Sequence, residues 1–193
     1  MGEKLKKEFF GNDAVTLAQN LLGKVICYNN GTKTVKYMIT VTEAYPYYDN
    51  DSYVNRYHEG SKGHDALVGN KTGNILIYSG MFHVVGSCEN EDPYRCDNIL
   101  IRGGIEIDKD GNLSKGKDKN LFFEKGKPYK LCRTMLGIPD EYCERAENVL
   151  KDYKTISNVN IESKIRIGLK NSTDCLRYSI KKEYLEELIG DKI

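Results

Sequence analysis

The most constraining feature of this sequence is a run of alternating residues that ends in a carboxylate. Between residues 33 and 44 apolar side chains alternate with polar ones, which is the period of a strand with one buried face. The apolar face carries Val35, Tyr37, Ile39 and Val41. The same parity predicts that Glu43 lies on that face. A carboxylate there either sits at the rim of the sheet or is held partly desolvated for a function.

The segments around this strand predict an α+β fold. A helix is expected over residues 12–23, with Asn12 as its N-cap and Gly23 as its left-handed terminator. An Asn-Asn-Gly turn at residues 29–31 joins two strands into a hairpin. Further strands are predicted at 73–85, 97–107, 165–169 and 176–180, and further helices at 127–137, 139–150 and in the C-terminal tail. Residues 46–72 are polar and irregular. Together these elements predict one domain over residues 1–193, built on a largely antiparallel sheet.

Composition excludes several classes of protein. The 29 Lys and Arg residues nearly balance the 28 Asp and Glu residues, so the net charge is +1 and charge alone does not indicate a nucleic-acid partner. The mean hydropathy is -0.57, and no apolar run approaches the roughly 20 residues that cross a bilayer. The first residues also lack the apolar segment of a secretory signal. We therefore expect a cytoplasmic location and no membrane partner.

Metal and cofactor motifs are missing from the sequence. No phosphate-binding glycine loop, zinc-protease motif or serine-hydrolase motif occurs. The cysteines show no C-x-x-C pair: they are Cys27, Cys88, Cys96, Cys132, Cys143 and Cys175. Their scatter favours reduced, mostly buried thiols over disulfides or zinc ligands. The expectation is that the protein uses no metal and no cofactor.

Five local strings occur in an order that carries a resemblance. They are F-x-x-D-A-x-x-L-A-x-x-L-L-G-K at residues 10–24, T-E-A-Y at 42–45, I-L-I-R at 99–102, K-x-x-K-L-C with L-G-I at 127–138, and R-I-G at 166–168 followed by L-R-Y at 176–178. Each string alone is weak, but their order and spacing resemble the alkyladenine, or 3-methyladenine, DNA glycosylase family over most of the chain.

The resemblance implies a monofunctional DNA-repair enzyme with a curved antiparallel sheet and helices packed around it. Such an enzyme flips an alkylated purine out of double-stranded DNA and hydrolyses its N-glycosidic bond. It also implies a monomer that works on nucleoid DNA in the cytoplasm.

Three residues of the strings carry the implied chemistry. Glu43, in T-E-A-Y, would be the general base that activates water, and its charge would stabilise the developing sugar cation. Tyr45, two residues further on, would share the side of Glu43 and stack on the flipped base. Arg102 ends an apolar strand and should meet a carboxylate or a phosphate there. Through the resemblance it belongs to the active site near the catalytic Glu and the DNA backbone.

Other positions depart from the family pattern. Tyr53 replaces the pocket histidine of the family, and His58 is the alternative that could reach into the pocket. Tyr78 matches a second stacking tyrosine of the family when no gap is placed after Gly73. The DNA-contacting candidates are Met81 or Phe82, as an apolar wedge that fills the gap in the duplex, and His64, where the family has an Arg.

These departures shape the functional expectations. Loss of pocket hydrogen-bonding groups predicts better activity on cationic purines, which leave readily, than on neutral lesions such as hypoxanthine or ethenoadenine. Two alternatives stay open: a binder of damaged or unpaired DNA that does not cleave, and an α+β protein that shares only descent with the family.

Overall fold

Nine strands of the described residues form one sheet in the computed structural model, which describes residues 2–50, 71–92, 94–114, 136–139, 142–169 and 173–190. The strands are β1 Val25–Asn29, β2 Thr34–Tyr45, β3 Asn74–Tyr78, β4 Met81–Cys88, β5 Cys96–Glu106, β6 Cys143–Arg145, β7 Leu150–Lys151, β8 Ile161–Lys164 and β9 Arg177–Ile180. The helices are α1 Ala14–Leu21, α2 Ala146–Val149 and α3 Lys182–Gly190, with short 3₁₀ turns at Lys7–Gly11, Glu89–Glu91 and Asn158–Asn160.

The long strand β2 organises the sheet. Its first half pairs with β1 and its second half with β9 along one edge, while β5 pairs along the other edge. The strand order is β6-β3-β4-β5-β2-β1-β7, with β8 joined through β9, and every pairing is antiparallel. A curled antiparallel sheet with helices on it confirms the α+β prediction. No helix among the described residues is long and apolar enough to cross a membrane.

Helix α1 covers one face of the sheet and forms the core with it. Its apolar stripe, Leu17, Ala18 and Leu21, is fully buried, in agreement with the predicted spacing. The cap differs from the prediction: the carboxylate of Asp13, not the amide of Asn12, accepts from the N–H groups of the first turn, at 3.0 Å each. Asn12 instead donates to the carbonyl of Phe9.

Two register shifts in the β2–β5 ladder overturn the predicted face of Glu43. Thr40 on β2 and Arg102 on β5 are extra residues, because the pairing steps from Ile39 to Val41 and from Val41 to Thr42 irregularly. Alternation therefore does not continue from Ile39 to Glu43. Beyond the shift, Thr42 faces α1 and its hydroxyl donates to the carbonyl of Ala18 at 2.8 Å. Glu43 consequently lies on the sheet face away from α1.

Several predicted elements differ from the structure in the C-terminal half. Residues 139–150 do not form one helix, because the described part holds strand β6, the short α2 and the start of β7. The strand predicted at 165–169 is wrong: β8 ends at Lys164, and the chain then turns through Gly168 at φ +87°. The predicted run 73–85 is split by the Ser79-Gly80 turn into β3 and β4. Most of the predicted helix at 127–137 lies outside the described residues.

The cysteine prediction is corrected at one pair. Cys88 at the end of β4 and Cys96 at the start of β5 are register partners and form a disulfide. Their proximity could not be predicted from the sequence, because an irregular loop separates the two residues. Only the strand register brings their side chains together. The disulfide closes the loop that connects these two strands of the central sheet.

Candidate active site

Glu43 is a fully buried carboxylate with three donors around it. Its Oε2 accepts from the Tyr45 hydroxyl at 2.9 Å and from Nη1 of Arg102 at 2.6 Å. Its Oε1 accepts from the backbone N–H of Ile167 at 2.9 Å. Donors from three separate segments thus fix both the position and the rotation of one carboxylate.

The strand irregularity explains how Arg102 reaches Glu43. Arg102 is the extra residue of β5 between Ile101, which pairs with Thr42, and Gly103, which pairs with Val41. A bulge of this kind turns a side chain away from the regular pleat, and bulges occur often beside active sites. The side chains of Arg102 and Glu43 are 8% and 0% exposed, so the ion pair is almost dry. The sequence-based expectation that Arg102 meets a carboxylate or a phosphate is met by the Glu43 carboxylate.

The arrangement leaves the carboxylate one acceptor position. An ionised carboxylate has about four lone-pair positions. Among the residues that the structure describes, the donors named above take both positions of Oε2 and one position of Oε1. The second position of Oε1 can accept a proton from a water molecule. Chemically, the site can hold a carboxylate still while it removes a proton.

Tyr45 is held on its ring as well as by its hydroxyl. The guanidinium carbon of Arg166 lies 4.7 Å from the ring centroid, in a cation–π contact. Arg166 is 3% exposed, donates to the carbonyl of Ala44 at 3.0 Å and forms a 2.6 Å ion pair with Asp49. Since Arg166 covers one side of the Tyr45 ring, a base that stacked on Tyr45 would need the other side.

Strand register places the other described candidates relative to Glu43. Glu43 pairs with Leu100, Leu100 with His83, and His83 with Leu76, so the side chains of this row share one face. Tyr78 lies two residues after Leu76 on β3, and Met81 lies two residues before His83 on β4, so each points to the same sheet face as its neighbour in the row. Both side chains are partly buried. They therefore lie on the face of Glu43.

Phe82 points to the opposite side of the sheet. It pairs with Ile77 and Ile101, and its side chain is fully buried in the core under α1. A wedge must enter the duplex, and Phe82 would have to leave the core to do so. The structure thus removes Phe82 from the wedge candidates and retains Met81 at the hairpin. Tyr53, His58 and His64 lie outside the described residues.

His83 and Asn98 form a buried polar pair on this same face, which sequence reasoning missed. Nδ1 of His83 lies 3.0 Å from Oδ1 of Asn98, and His83 is fully buried. Burial lowers the pKa of His83 to about 4, although the Asn98 hydrogen bond acts in the opposite direction. The imidazole is therefore neutral near pH 7. A histidine inside an apolar strand was the available signal in the sequence.

The sequence profile of the methylpurine-DNA glycosylase family matches residues 8–184, a span that includes Glu43, Tyr45, Arg102 and Arg166. The chain belongs to this family. The methylpurine-DNA glycosylase family is the one that the T-E-A-Y and I-L-I-R strings resembled, so that prediction is confirmed, and the family makes the chain a DNA glycosylase by descent and DNA its binding partner.

Two relatives illustrate the degree of similarity. A protein of Ehrlichia ruminantium, assigned by name as a 3-methyladenine DNA glycosylase, is 30% identical over 176 residues, which cover 88% of this chain and 85% of the relative. A protein of Clostridium perfringens with the same assigned name is 29% identical over 154 residues, 70% of each chain.

The residues around Glu43 that sequence reasoning missed come from distant parts of the sequence. Arg166 and Ile167 come from the R-I-G string, which the resemblance used without giving either residue a role. They reach Ala44 and Glu43 across 122 and 124 residues of sequence. Within the described part of the chain, no cluster of three or more His, Cys, Asp or Glu side chains is placed to hold a metal ion.

The buried His83 predicts a pH dependence of stability. Its pKa is about 4 in the folded protein and about 6.5 in an unfolded chain. Between these values the unfolded state binds a proton that the folded state does not, so the free energy of unfolding falls as the pH is lowered from 6.5 to 4. The expected loss from His83 is about 3 kcal/mol.

Urea unfolding at several pH values measures this loss. Carboxylates also titrate in the range, so the informative quantity is the difference between the wild type and the double variant His83→Phe/Asn98→Leu. In the double variant both hydrogen-bond partners are replaced by apolar groups, which avoids a lone buried polar group. Parallel stability curves for the two proteins between pH 6.5 and 4 would contradict the prediction.

Proposed function

We propose that this protein excises alkylated purines, of the 3-methyladenine and 7-methylguanine type, from double-stranded DNA by hydrolysing the N-glycosidic bond. The observation that carries the proposal is the Glu43 carboxylate, which Arg102, Tyr45 and the Ile167 N–H fix in place. The contacts of the described residues leave one acceptor position on Oε1. We further propose that the chain acts as one domain over residues 1–193, as a monomer, on cytoplasmic or nucleoid DNA.

In the proposed mechanism Glu43 has two tasks. It accepts a proton from the water that attacks C1′ of the deoxyribose, and the glycosidic electron pair leaves with the purine. Its negative charge also stabilises the oxocarbenium-like transition state. Because the carboxylate sits in a dry site, this stabilisation is stronger than in water. Water is the only co-reactant, and the products are a free purine and an abasic sugar.

Arg102 acts as a positioning residue for Glu43. Its guanidinium holds Oε2, while the position that accepts the water proton is on Oε1. A planar guanidinium has donors in a fixed fork, so it restricts rotation of the carboxylate more than an ammonium would. The proposal thus separates the two oxygens: Oε2 anchors the group and Oε1 performs the proton transfer.

The remaining candidates concern the flipped nucleotide. We propose that Tyr45 stacks on the base on the side away from Arg166, that Tyr78 is a second aromatic contact on the same sheet face, and that Met81 is the wedge. A base stacked on an aromatic ring gains about 1–3 kcal/mol. Tyr53 as a replacement for the pocket histidine and His64 as a DNA contact stay predictions from the resemblance.

Cationic purines are the proposed substrates because their leaving group is already activated. A 3- or 7-methylated purine carries a positive charge, and it departs without protonation by the enzyme. Neutral lesions need an acid at the leaving base, and the resemblance puts Tyr53 where the family has a histidine, so no imidazole is expected there to supply that proton.

One observation favours the second candidate function, a binder that does not cleave. Glu43 is fully buried, and Arg102 closes on it at 2.6 Å. Water reaches Oε1 only if the site opens when DNA binds. If it does not open, the protein recognises damaged DNA and leaves the glycosidic bond intact.

Single-turnover release of purines from methylated duplex DNA distinguishes the two functions. Enzyme in excess over lesions is mixed with the duplex, and free 3-methyladenine and 7-methylguanine are measured over time, with DNA binding measured in the same buffer. Release above the spontaneous rate supports the glycosylase. Binding without release overturns it in favour of the binder, and absence of both contradicts each function.

A further inference from the structure

The His83–Asn98 pair is a buried polar group with no task in the mechanism described above. The two residues lie on neighbouring strands, β4 and β5, and are 0% and 7% exposed. Buried polar pairs cost desolvation and are replaceable by apolar residues at little loss of stability. Their occurrence in an otherwise apolar part of the sheet, beside Leu76, Val85 and Leu100, therefore points to a role in recognition.

Strand register puts the pair within the proposed base pocket. Asn98 is the direct register partner of Tyr45, the proposed stacking residue, and His83 is in the row of Glu43 with Leu100 between them. Neighbouring strands are about 4.8 Å apart, so about 10 Å separates the backbones of Glu43 and His83. A nucleotide with its sugar at Glu43 and its base on Tyr45 would extend across the sheet toward His83.

The hydrogen bond within the pair determines which imidazole nitrogen is a donor and which is an acceptor. An amide oxygen only accepts, so the contact between Asn98 Oδ1 and His83 Nδ1 places the ring proton on Nδ1. A neutral imidazole has one N–H, which makes Nε2 an acceptor. An acceptor favours a purine edge that carries an amino group and disfavours an edge that carries a carbonyl oxygen.

We propose that the His83–Asn98 pair is a specificity determinant that selects alkylated adenine, through its 6-amino group, over alkylated guanine, whose 6-position is a carbonyl. The inference rests on the proposed function and deepens it. In a dry pocket, a carbonyl oxygen opposite an acceptor leaves both groups unsatisfied, and this mismatch costs more than a missing contact.

The test compares two lesions in one reaction. Methylated duplex DNA contains both 3-methyladenine and 7-methylguanine, and both bases are cationic. The rate of release of each is measured for the wild type and for His83→Phe/Asn98→Leu, and the quantity of interest is the ratio of the two rates. We expect the double variant to lower the preference for 3-methyladenine about tenfold, the effect of one hydrogen bond of about 1.4 kcal/mol.

Val84→Ala is the matched control. Val84 is fully buried between the same strands, but it belongs to the core on the other sheet face. This variant loses stability because it leaves a cavity in the core, and its preference should stay that of the wild type. An unchanged ratio in the double variant, or an equal change in Val84→Ala, would overturn the inference. Absence of release by the wild type would instead refute the proposed function.

Asn98→Asp supplies an independent measurement. A carboxylate in place of the amide favours the protonated imidazole, whose Nε2 is a donor. The polarity of the edge is then reversed, and we expect the ratio to shift toward 7-methylguanine beyond the double variant. A shift toward 3-methyladenine would overturn the assignment of Nε2 as the acceptor.

Discussion

Glu43→Gln is expected to slow purine release by about 10²–10⁴-fold, the usual contribution of a general base. The amide retains the shape of the side chain, and its oxygen can still accept from Arg102, but it neither removes a proton nor carries the charge that stabilises an oxocarbenium-like state. Single-turnover release from methylated duplex DNA measures the loss. Binding of the same duplex should be retained, since Glu43 is buried beneath the proposed contact surface.

The control for this prediction is Glu186→Gln. Glu186 is an exposed carboxylate of helix α3, and its Oε1 lies 3.8 Å from Nζ of Lys182. The Glu186→Gln protein should therefore release purines at the rate of the wild type. Circular dichroism must show both variants folded. A Glu43→Gln protein that released purines within a few-fold of the wild-type rate would show that another group activates the water.

Arg102→Met should produce the largest loss of stability, about 3–5 kcal/mol of the free energy of unfolding. Removal of the guanidinium leaves the fully buried Glu43 carboxylate without its cation. The total free energy of unfolding of a domain is about 5–15 kcal/mol, so the variant would be close to unfolding at physiological temperature. Urea denaturation at low temperature measures the difference.

Two further variants distinguish loss of the buried ion pair from the nonspecific effect of replacing an arginine. Arg95→Met breaks a 2.7 Å pair with Glu89, in which Arg95 is 56% exposed, and should cost at most about 1 kcal/mol. In Glu43→Gln/Arg102→Met the buried charge is gone, so the double variant should be more stable than Arg102→Met alone. If Arg102→Met were as stable as Arg95→Met, the ion pair between Arg102 and Glu43 would contribute little to the free energy of unfolding.

Local relations in the site were predictable from the sequence because they depend on short spacings. Tyr45 shares the side of Glu43, as predicted, since no bulge intervenes between them; its hydroxyl contact with the carboxylate was not predicted. Arg102 directly follows an apolar run and therefore had to meet an anion, although it lies inside β5 and not at the end of a strand as predicted. Helix α1 was predictable from its apolar stripe, within two residues at each end.

Relations that depend on register or on distant segments were not predictable. The face of Glu43 changed because Thr40 and Arg102 each add a residue to one strand. Gly103 and Gly104 beside Arg102 are typical of a bulge, but they do not show which way the register shifts. Arg166, Ile167 and the disulfide partners of β4 and β5 come together only in the folded sheet. His83 was conspicuous in the sequence, but its Asn98 partner and its row with Glu43 required the strand pairing.

The short turn after β8 links the protein surface to the proposed reacting group. Ile165 and Ile167 are 50% and 37% exposed, yet between them Arg166 is buried against Tyr45, and the N–H of Ile167 holds Oε1 of Glu43. A substitution that shifts this turn would therefore move a hydrogen-bond donor of Glu43. One peptide group thus connects an exposed turn directly to a carboxylate that is itself fully buried.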